Sequence, residues 1–288
     1  MKDKVVIVTG ANSGTGKWTA IELAKMNAKV IMVCRDRLRG EEALGDVKKL
    51  SGNETVELMI CDLASLDSVK NFCDLFKSKY DKLNVLVNNA GVILPSRHET
   101  KDGYELQFGV NHLGHFLLTN LLLDLIIKSA PSRIILVASG AHKSGKIHFE
   151  DINLNNNWNM LKAYSQSKLA NVLFTYELAR RLEGTGVTVN ALHPGTVKSN
   201  FAVNRDTGFG KVIMKALQPL FQTAQKAAGT SVYLSSSDEV EGVTGKYYYK
   251  NKALESSKLS NDEEVAKKLW DISEVMVNNH DINRYIAN

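Results

Sequence analysis

A tyrosine and a lysine stand four residues apart in the segment Y-S-Q-S-K, which runs from Tyr164 to Lys168. The surrounding pattern predicts a helix over residues 160–183, which places the two side chains one turn apart on one face. A free phenol has a pKa of about 10, and a neighbouring ammonium stabilises its phenolate, which suits a general acid or base. The same spacing occurs in ordinary solvent-facing pairs, so other residues must decide whether it indicates catalysis.

Polar motifs follow several apolar runs at the points where those runs end. N-N-A-G, Ser139 and H-P-G each come directly after a run rich in valine, isoleucine or leucine. Asn111 lies in the motif N-H-L-G-H-F, on a predicted helix. Because ligands bind beyond the carboxyl ends of strands in an open α/β sheet, we expect these groups near Tyr164 and Lys168.

A glycine-rich turn follows the first apolar run, Val5–Thr9. Gly10, Gly14 and Gly16 have the spacing G-x-x-x-G-x-G and precede a helical pattern over 15–27. Such a turn brings backbone N–H groups against a pyrophosphate at a helix N-terminus, where the helix dipole favours negative charge. The spacing differs from the G-x-G-x-x-G of most dinucleotide-binding folds, so alone it is weak support for a cofactor.

The order of apolar runs and helical segments predicts an α/β fold. Strands are expected at 4–9, 29–34, 56–61, 83–88, 133–138, 186–191 and 245–249. Helices are expected at 15–27, 38–51, 66–80, 102–129, 160–183, 223–236 and 261–279. This alternation is typical of a doubly wound Rossmann fold, with a seven-stranded parallel sheet and helices on both faces. No linker divides residues 1–288, which predicts a single domain whose irregular stretches at 140–159 and 198–222 are candidate substrate loops.

Composition excludes several classes of function. The net charge of +5 comes from 36 basic and 31 acidic residues spread along the chain, so no nucleic-acid partner is expected. Cys34, Cys61 and Cys73 form no C-x-x-C pair, and the histidines lack acidic partners at ligand spacing. We therefore expect neither disulfides nor a metal site. No segment is suited to be a membrane anchor, and we expect a cytoplasmic protein.

These motifs, taken in order, resemble the short-chain dehydrogenase/reductase family over about residues 4–249. Within that family, the segments C-R-D, N-H-L-G-H-F-L-L and Y-S-Q-S-K-L-A-N are similar to the branch of retinol dehydrogenases and WW-domain oxidoreductase. The long interval between Ser139 and Tyr164 also fits this branch. The resemblance implies an NADP-dependent enzyme, a carbonyl reductase or alcohol dehydrogenase. Its substrate would be apolar or aromatic: retinal-like, an aldehyde, a ketone or a quinone.

The resemblance also implies a role for each residue. Tyr164 would exchange a proton with the substrate oxygen, and Ser139 would hydrogen-bond that oxygen. Lys168 would bind the nicotinamide ribose and lower the pKa of Tyr164, while Asn111 would support a water linked to Lys168. The expected cofactor-binding residues are Gly10, Asn12, Ser13, Gly14, Thr15, Gly16, Arg35, Asp62, Leu63, Asn89, Ala90, Gly91, Tyr164, Lys168, Pro194, Gly195 and Thr196.

The residues after the second apolar run bear on the choice of cofactor. An acidic residue there binds the ribose hydroxyls of NAD, whereas the 2′-phosphate of NADP needs a cation. Cys34 stands where the family would have the acid, and Arg35 after it can bind a phosphate in a bidentate manner. We expect NADP(H) in preference to NAD(H). A register shifted by one residue would instead place Asp36 in the ribose site.

Some alternatives stay open from the sequence. An NADP(H)-binding sensor or scaffold without turnover would keep the fold, although it would not need a phenol–serine pair. A homodimer or homotetramer built on the helices at 102–129 and 160–183 is implied only by the resemblance. His142, in the loop after Ser139, is a further candidate for lining the substrate pocket.

Overall fold

The computed structural model describes residues 1–195 and 223–278. The strands are β1 (Val5–Thr9), β2 (Lys29–Cys34), β3 (Glu57–Ile60), β4 (Val85–Asn88), β5 (Ser132–Val137), β6 (Val187–Leu192), β7 (Lys246–Tyr249) and β8 (Lys252–Leu254). The α-helices are α1 (Gly14–Lys25), α2 (Arg37–Ser51), α3 (Leu66–Lys79), α4 (Leu106–Phe108), α5 (Gly114–Leu121), α6 (Leu123–Lys128), α7 (Met160–Arg181), α8 (Ala224–Ser236) and α9 (Glu263–Val277).

All the strands belong to one sheet in the order β3-β2-β1-β4-β5-β6-β7-β8. β1 to β7 are parallel, and β8 pairs antiparallel with β7. The predicted α/β fold is confirmed, but the prediction of seven strands is wrong, because β8 adds an eighth. β8 has three residues, all exposed, and so leaves no apolar pattern in the sequence.

The central strands are apolar on both faces because helices cover both sides of the sheet. Ile7 and Leu86 belong to one core cluster, with buried residues of α3, α5, α7 and α9. Val6 and Val8, which alternate with Ile7 along β1, belong to the opposite cluster with buried residues of α1, α2 and α8. Because helices cover both faces of the sheet, the polar residues that follow the strands lie together at the edge formed by the carboxyl ends.

The single helix expected at 102–129 is divided in the structure. α4 leads into a π turn at Gly109–Leu113, where the N–H of Gly114 donates to the carbonyl of Gly109. A second break at Leu122 separates α5 from α6. Apolar periodicity does not distinguish a π turn from an α turn over so short a span. The distorted segment carries Asn111.

The helix α9 packs on α7 and α5. Trp270 meets Phe116 edge-on, with ring centroids 4.9 Å apart, and the Arg181 guanidinium lies 4.0 Å from the centroid of its indole. The Tyr104 hydroxyl donates to the Met276 carbonyl at 2.6 Å. The chain's own helix therefore covers part of the face on which an oligomer is expected from the resemblance.

The two candidate substrate loops differ in what is described. Residues 140–159 begin at the carboxyl end of β5 and contain 3₁₀ turns at Gly140–Ser144 and Phe149–Asp151. Residues 198–222 lie outside the described part of the chain. In the described part, we find no helix that combines the length and the apolar character needed to span a bilayer.

Candidate active site

The turn after β1 is so tight that two of its glycines have no room for a side chain. Gly10 has a φ of 65°, and a Cβ there would lie 2.9 Å from the backbone of the loop after β4. A Cβ on Gly16 would collide with the Asn89 amide nitrogen. Gly14 has open space beside it, and Ser13 at the N-cap of α1 makes no side-chain capping bond. The N-terminus of α1 thus fits a pyrophosphate.

The loop after β4 is bonded to Thr9, the last residue of β1. Thr9 Oγ1 accepts from the backbone N–H of Asn89 and from that of Ala90, each at 2.9 Å. Asn89 Nδ2 donates to the Thr9 carbonyl at 2.7 Å. Three hydrogen bonds therefore hold the predicted cofactor residues Asn89 and Ala90 against the glycine turn.

Asn111 joins the same loop to α7. Its Oδ1 accepts from the Val92 N–H at 2.7 Å, and its Nδ2 donates to the Val92 carbonyl at 3.0 Å and to the Ser167 hydroxyl at 2.9 Å. A Cβ on Gly91 would lie 3.3 Å from both Asn111 Oδ1 and Lys168 Nζ. The absence of a side chain at Gly91 lets the loop lie directly beside the lysine.

Lys168 is buried in α7 and points toward the end of β5. Its Nζ donates to the Val137 carbonyl at 3.0 Å and lies 5.7 Å from the centroid of the Tyr164 ring. Burial lowers the pKa of Lys168 to about 8, because the charged form loses hydration. At neutral pH the lysine is still mainly charged.

Ser139 and Tyr164 lie near Lys168 at the end of β5. Ser139 Oγ accepts from the Ala141 N–H at 3.2 Å, at the start of the 3₁₀ turn. Burial raises the pKa of Tyr164, and a hydrogen bond with Ser139 lowers it by less. The pKa of Tyr164 therefore lies above its ordinary value, and the lowering of this pKa by Lys168 stays a prediction. The phenol is protonated at neutral pH, the form that donates a proton.

His142 does not line a substrate pocket, contrary to expectation. Its side chain is fully buried, with Nδ1 donating to the Ser139 carbonyl at 2.7 Å and Nε2 accepting from the Ser257 N–H at 3.2 Å. Its ring packs on Tyr247, with centroids 4.7 Å apart. His142 therefore supports the backbone of Ser139 from inside the protein.

The corner at the end of β2 is open to solvent. Arg35 and Asp36 are exposed, and Asp36 Oδ1 accepts from the backbone N–H of Arg39, so its carboxylate caps α2. Cys34 is buried, and its thiol donates to the Asp36 carbonyl at 3.3 Å. Burial raises the pKa of that thiol. Arg35 makes no ion pair with any residue of 1–195 or 223–278.

The remaining predicted cofactor residues follow β3 and β6 at the same sheet edge. Asp62 is half-buried and Leu63 buried. Pro194 and Gly195 are half-buried, and Gly195 has a φ of 80°. Thr196 lies outside the described residues. The described candidates thus come from several strand ends that share one edge.

Sequence reasoning did not identify Thr9, and for His115 it favoured helix packing and capping of the pocket without naming its partners. His115 Nε2 lies 2.9 Å from Thr9 Oγ1, and its Nδ1 lies 3.1 Å from the Asn111 carbonyl oxygen. Burial lowers the pKa of His115 to about 4. A polar residue ending an apolar strand before a glycine turn, and a histidine four residues after Asn111, were the available signals.

The strand order reverses between β1 and β4, and ligands of open α/β sheets bind at such a point. The glycine turn lies there, together with a serine, a tyrosine and a lysine. This combination defines a dinucleotide-dependent oxidoreductase. The model of the short chain dehydrogenase family matches residues 4–208. The chain belongs to the short-chain dehydrogenase/reductase family, in its retinol dehydrogenase-like branch, which confirms the resemblance carried by the motifs.

The curated relatives cover nearly the whole chain. Retinol dehydrogenase 14 of Homo sapiens is 50% identical over 295 residues, covering 96% of this chain and 87% of that protein. Retinol dehydrogenase 13 of Homo sapiens is 47% identical over 274 residues, covering 93% and 82%. The oxidoreductase class is therefore shared with proteins similar along most of their length.

Solved structures agree on the fold. An uncharacterised protein of Mycobacterium paratuberculosis matches with a TM-score of 0.77 at 35% identity, covering 96% of this chain and 94% of that one. A chain from Escherichia coli CFT073, solved with NADPH, matches with a TM-score of 0.68 at 20% identity, covering 88% and 98%. The second likeness concerns the fold alone.

Proposed function

We propose that this oxidoreductase uses NADP(H) and acts on a carbonyl or alcohol group of an apolar or aromatic small molecule. The observation that carries the proposal is the cluster at the end of β5, where a buried lysine lies beside a protonated phenol and a serine hydroxyl. A protein that only binds a dinucleotide does not need this combination of groups.

The glycine turn supports a nicotinamide dinucleotide as the cofactor. Gly10 and Gly16 leave space for no side chain, and the N-terminus of α1 would hold the pyrophosphate. Lys168 would bind the ribose hydroxyls, with Gly91 of the loop after β4 beside it. When bound, the cofactor supplies or accepts the hydride.

Tyr164 handles the proton. In the direction of reduction its hydroxyl donates a proton to the carbonyl oxygen, and in the direction of oxidation the phenolate accepts one from the alcohol. Ser139 donates a hydrogen bond to the same oxygen and fixes its position. The charge on Lys168, 5.7 Å from the Tyr164 ring centroid, stabilises the phenolate that remains after the proton leaves.

The corner at β2 supports NADP(H) over NAD(H). Asp36 is the acidic residue that could bind the ribose hydroxyls of NAD. Its carboxylate instead accepts a hydrogen bond as the cap of α2. Arg35 is exposed and has no ion-pair partner in the described residues, so its guanidinium is available to a 2′-phosphate. The Escherichia coli chain solved with NADPH has the same fold.

The relatives named retinol dehydrogenases support an apolar substrate, of which a retinoid is one example. The same proposal includes activity as a carbonyl reductase or an alcohol dehydrogenase. It also includes a cytoplasmic location. A homodimer or homotetramer stays a prediction. Because α9 packs on α5 and α7, it already covers part of the surface on which such an assembly would be built.

Tyr164→Phe tests the acid–base assignment. The substitution removes only the hydroxyl, so we expect NADPH to bind with unchanged affinity while kcat falls by roughly 10²–10⁴-fold, the usual contribution of a general acid. Steady-state kinetics and fluorescence titration with NADPH measure the two quantities. An unchanged kcat would remove Tyr164 from the proton step.

A further inference from the structure

We propose that His115 is a positioning residue for the reaction: it holds the loop after β4 and the backbone of Asn111 in place through two directed hydrogen bonds. The inference rests on the proposed function for its kinetic consequence. His115 itself is buried beneath the site and touches neither cofactor nor substrate in that scheme.

The protonation state of His115 follows from its two partners. The Asn111 carbonyl can only accept, so Nδ1, 3.1 Å away, must carry a proton. Burial and the nearby charge of Lys168 lower the pKa of the imidazole to about 4, so the ring is neutral at pH 7 and Nε2 is an acceptor. One tautomer therefore satisfies both contacts.

Thr9 extends this order to the loop. Its Oγ1 accepts from the N–H groups of Asn89 and Ala90 at 2.9 Å, which uses both of its lone pairs. Its one proton has two possible acceptors. Oγ1 lies 2.9 Å from His115 Nε2 and 3.4 Å from the Val87 carbonyl oxygen. The shorter contact directs the proton to the imidazole, which orients the hydroxyl toward the loop.

The other end of the imidazole acts on the π turn. Such a turn interrupts regular α-helical pairing, and the bond from His115 Nδ1 gives the Asn111 carbonyl a partner. The Asn111 side chain in turn holds Val92 and Ser167. The segment 89–92, which borders Lys168 at Gly91, is thus fixed at one end through Thr9 and at the other through Asn111.

Three substitutions separate the two bonds. His115→Leu removes both at similar volume; His115→Asn retains a donor at the position of Nδ1 but does not reach Thr9; and His115→Gln retains an acceptor toward Thr9. We expect the Kd for NADPH to rise roughly tenfold in His115→Leu and His115→Asn, the effect of one lost buried hydrogen bond, and less in His115→Gln. We expect kcat to fall most in His115→Leu, with KM for the carbonyl substrate nearly unchanged.

His112→Leu is the matched control. Like His115, His112 is buried, but it lies in the π turn, and its Nε2 pairs with Ser273 of α9 rather than with the loop. This variant should lose stability and keep its NADPH Kd. If His115→Leu, or His115→Asn should the first not fold, binds NADPH as the parent does and shows the parent kcat, His115 is only a core residue and the proposal fails. A parent chain without turnover would refute the proposed function, while the Kd comparison would still decide the placement of the loop.

Discussion

The two ends of the candidate site are built in opposite ways. Around Asn111 and Lys168, side chains are buried and bonded to backbone groups of neighbouring elements. At the corner after β2, Arg35 and Asp36 are exposed, and their contacts are local. The contrast indicates that the buried end fixes the reacting groups, whereas the exposed corner contributes affinity for one cofactor. Substitutions should therefore alter stability and activity together at the buried end, and affinity alone at the corner.

Lys168→Met should give the largest effect. Removing the cation should lower kcat by roughly 10²-fold or more, because a charged donor in a water-poor site is lost. The same change should raise the Tm by a few degrees. The folded-state pKa, lowered from 10.5 to about 8, means that the buried ammonium costs stability at pH 7, at most about 3 kcal/mol, and the lost bond to Val137 offsets part of the gain.

Calorimetry and steady-state kinetics on the same preparation measure both effects. Lys162→Met provides the control, since Lys162 lies on the same helix, α7, but is only half-buried, with its Nζ 3.5 Å from the Asn157 carbonyl. The control should keep both Tm and kcat close to the parent values. A Lys168→Met protein that is less stable than the parent would show that the buried end is not organised around a desolvated cation.

Arg35→Ala should affect one cofactor without affecting the fold. Loss of a charge-assisted contact of about 1.5–3 kcal/mol weakens NADPH binding by roughly 10- to 150-fold. NADH, which has no 2′-phosphate, should bind almost as before, and the Tm should not change because the side chain is exposed. Arg37→Ala, on the exposed first turn of α2, serves as the control. Equal weakening of NADPH and NADH would remove Arg35 from the phosphate site.

We expect the smallest effect per residue when the pH is lowered, and it is an effect on the free energy of unfolding. Burial lowers the pKa values of His112 to about 3 and of His115 and His193 to about 4, against an ordinary 6.5. In this range the unfolded chain binds more protons than the folded one, so stability is full above pH 6.5 and falls toward pH 4. The loss is at most about 1.4 kcal/mol per pH unit for each histidine. Urea unfolding at pH 7 and pH 5 measures it, and equal stabilities would contradict the burial of these rings.

The sequence predicts most of this molecule because its signals are local or periodic. Apolar runs marked the seven parallel strands, and motifs at their ends marked Ser139, Tyr164 and Lys168. β8 was missed because three exposed residues carry no pattern. The π turn at Gly109–Leu113 was missed because its backbone pairing differs from that of an α-helix while its apolar spacing hardly does.

The pKa of Tyr164 and the role of His115 could not be obtained in this way. The sequence shows that Lys168 is one helical turn from Tyr164, but not how deeply the phenol is buried, and burial decides the direction of the shift. His115 acquires its partners from β1 and from the π turn, across 106 residues of sequence in the first case. Both properties depend on tertiary contacts.

The most direct test of the central claim is the rate of nicotinamide oxidation by the purified protein. NADPH, with NADH as the control, would be followed with a panel of aldehydes, ketones and quinones that includes retinal. We expect a clear NADPH-linked rate with apolar or aromatic members and a much lower rate with NADH. Tight NADPH binding with no rate on any member would contradict the claim and favour a sensor or scaffold.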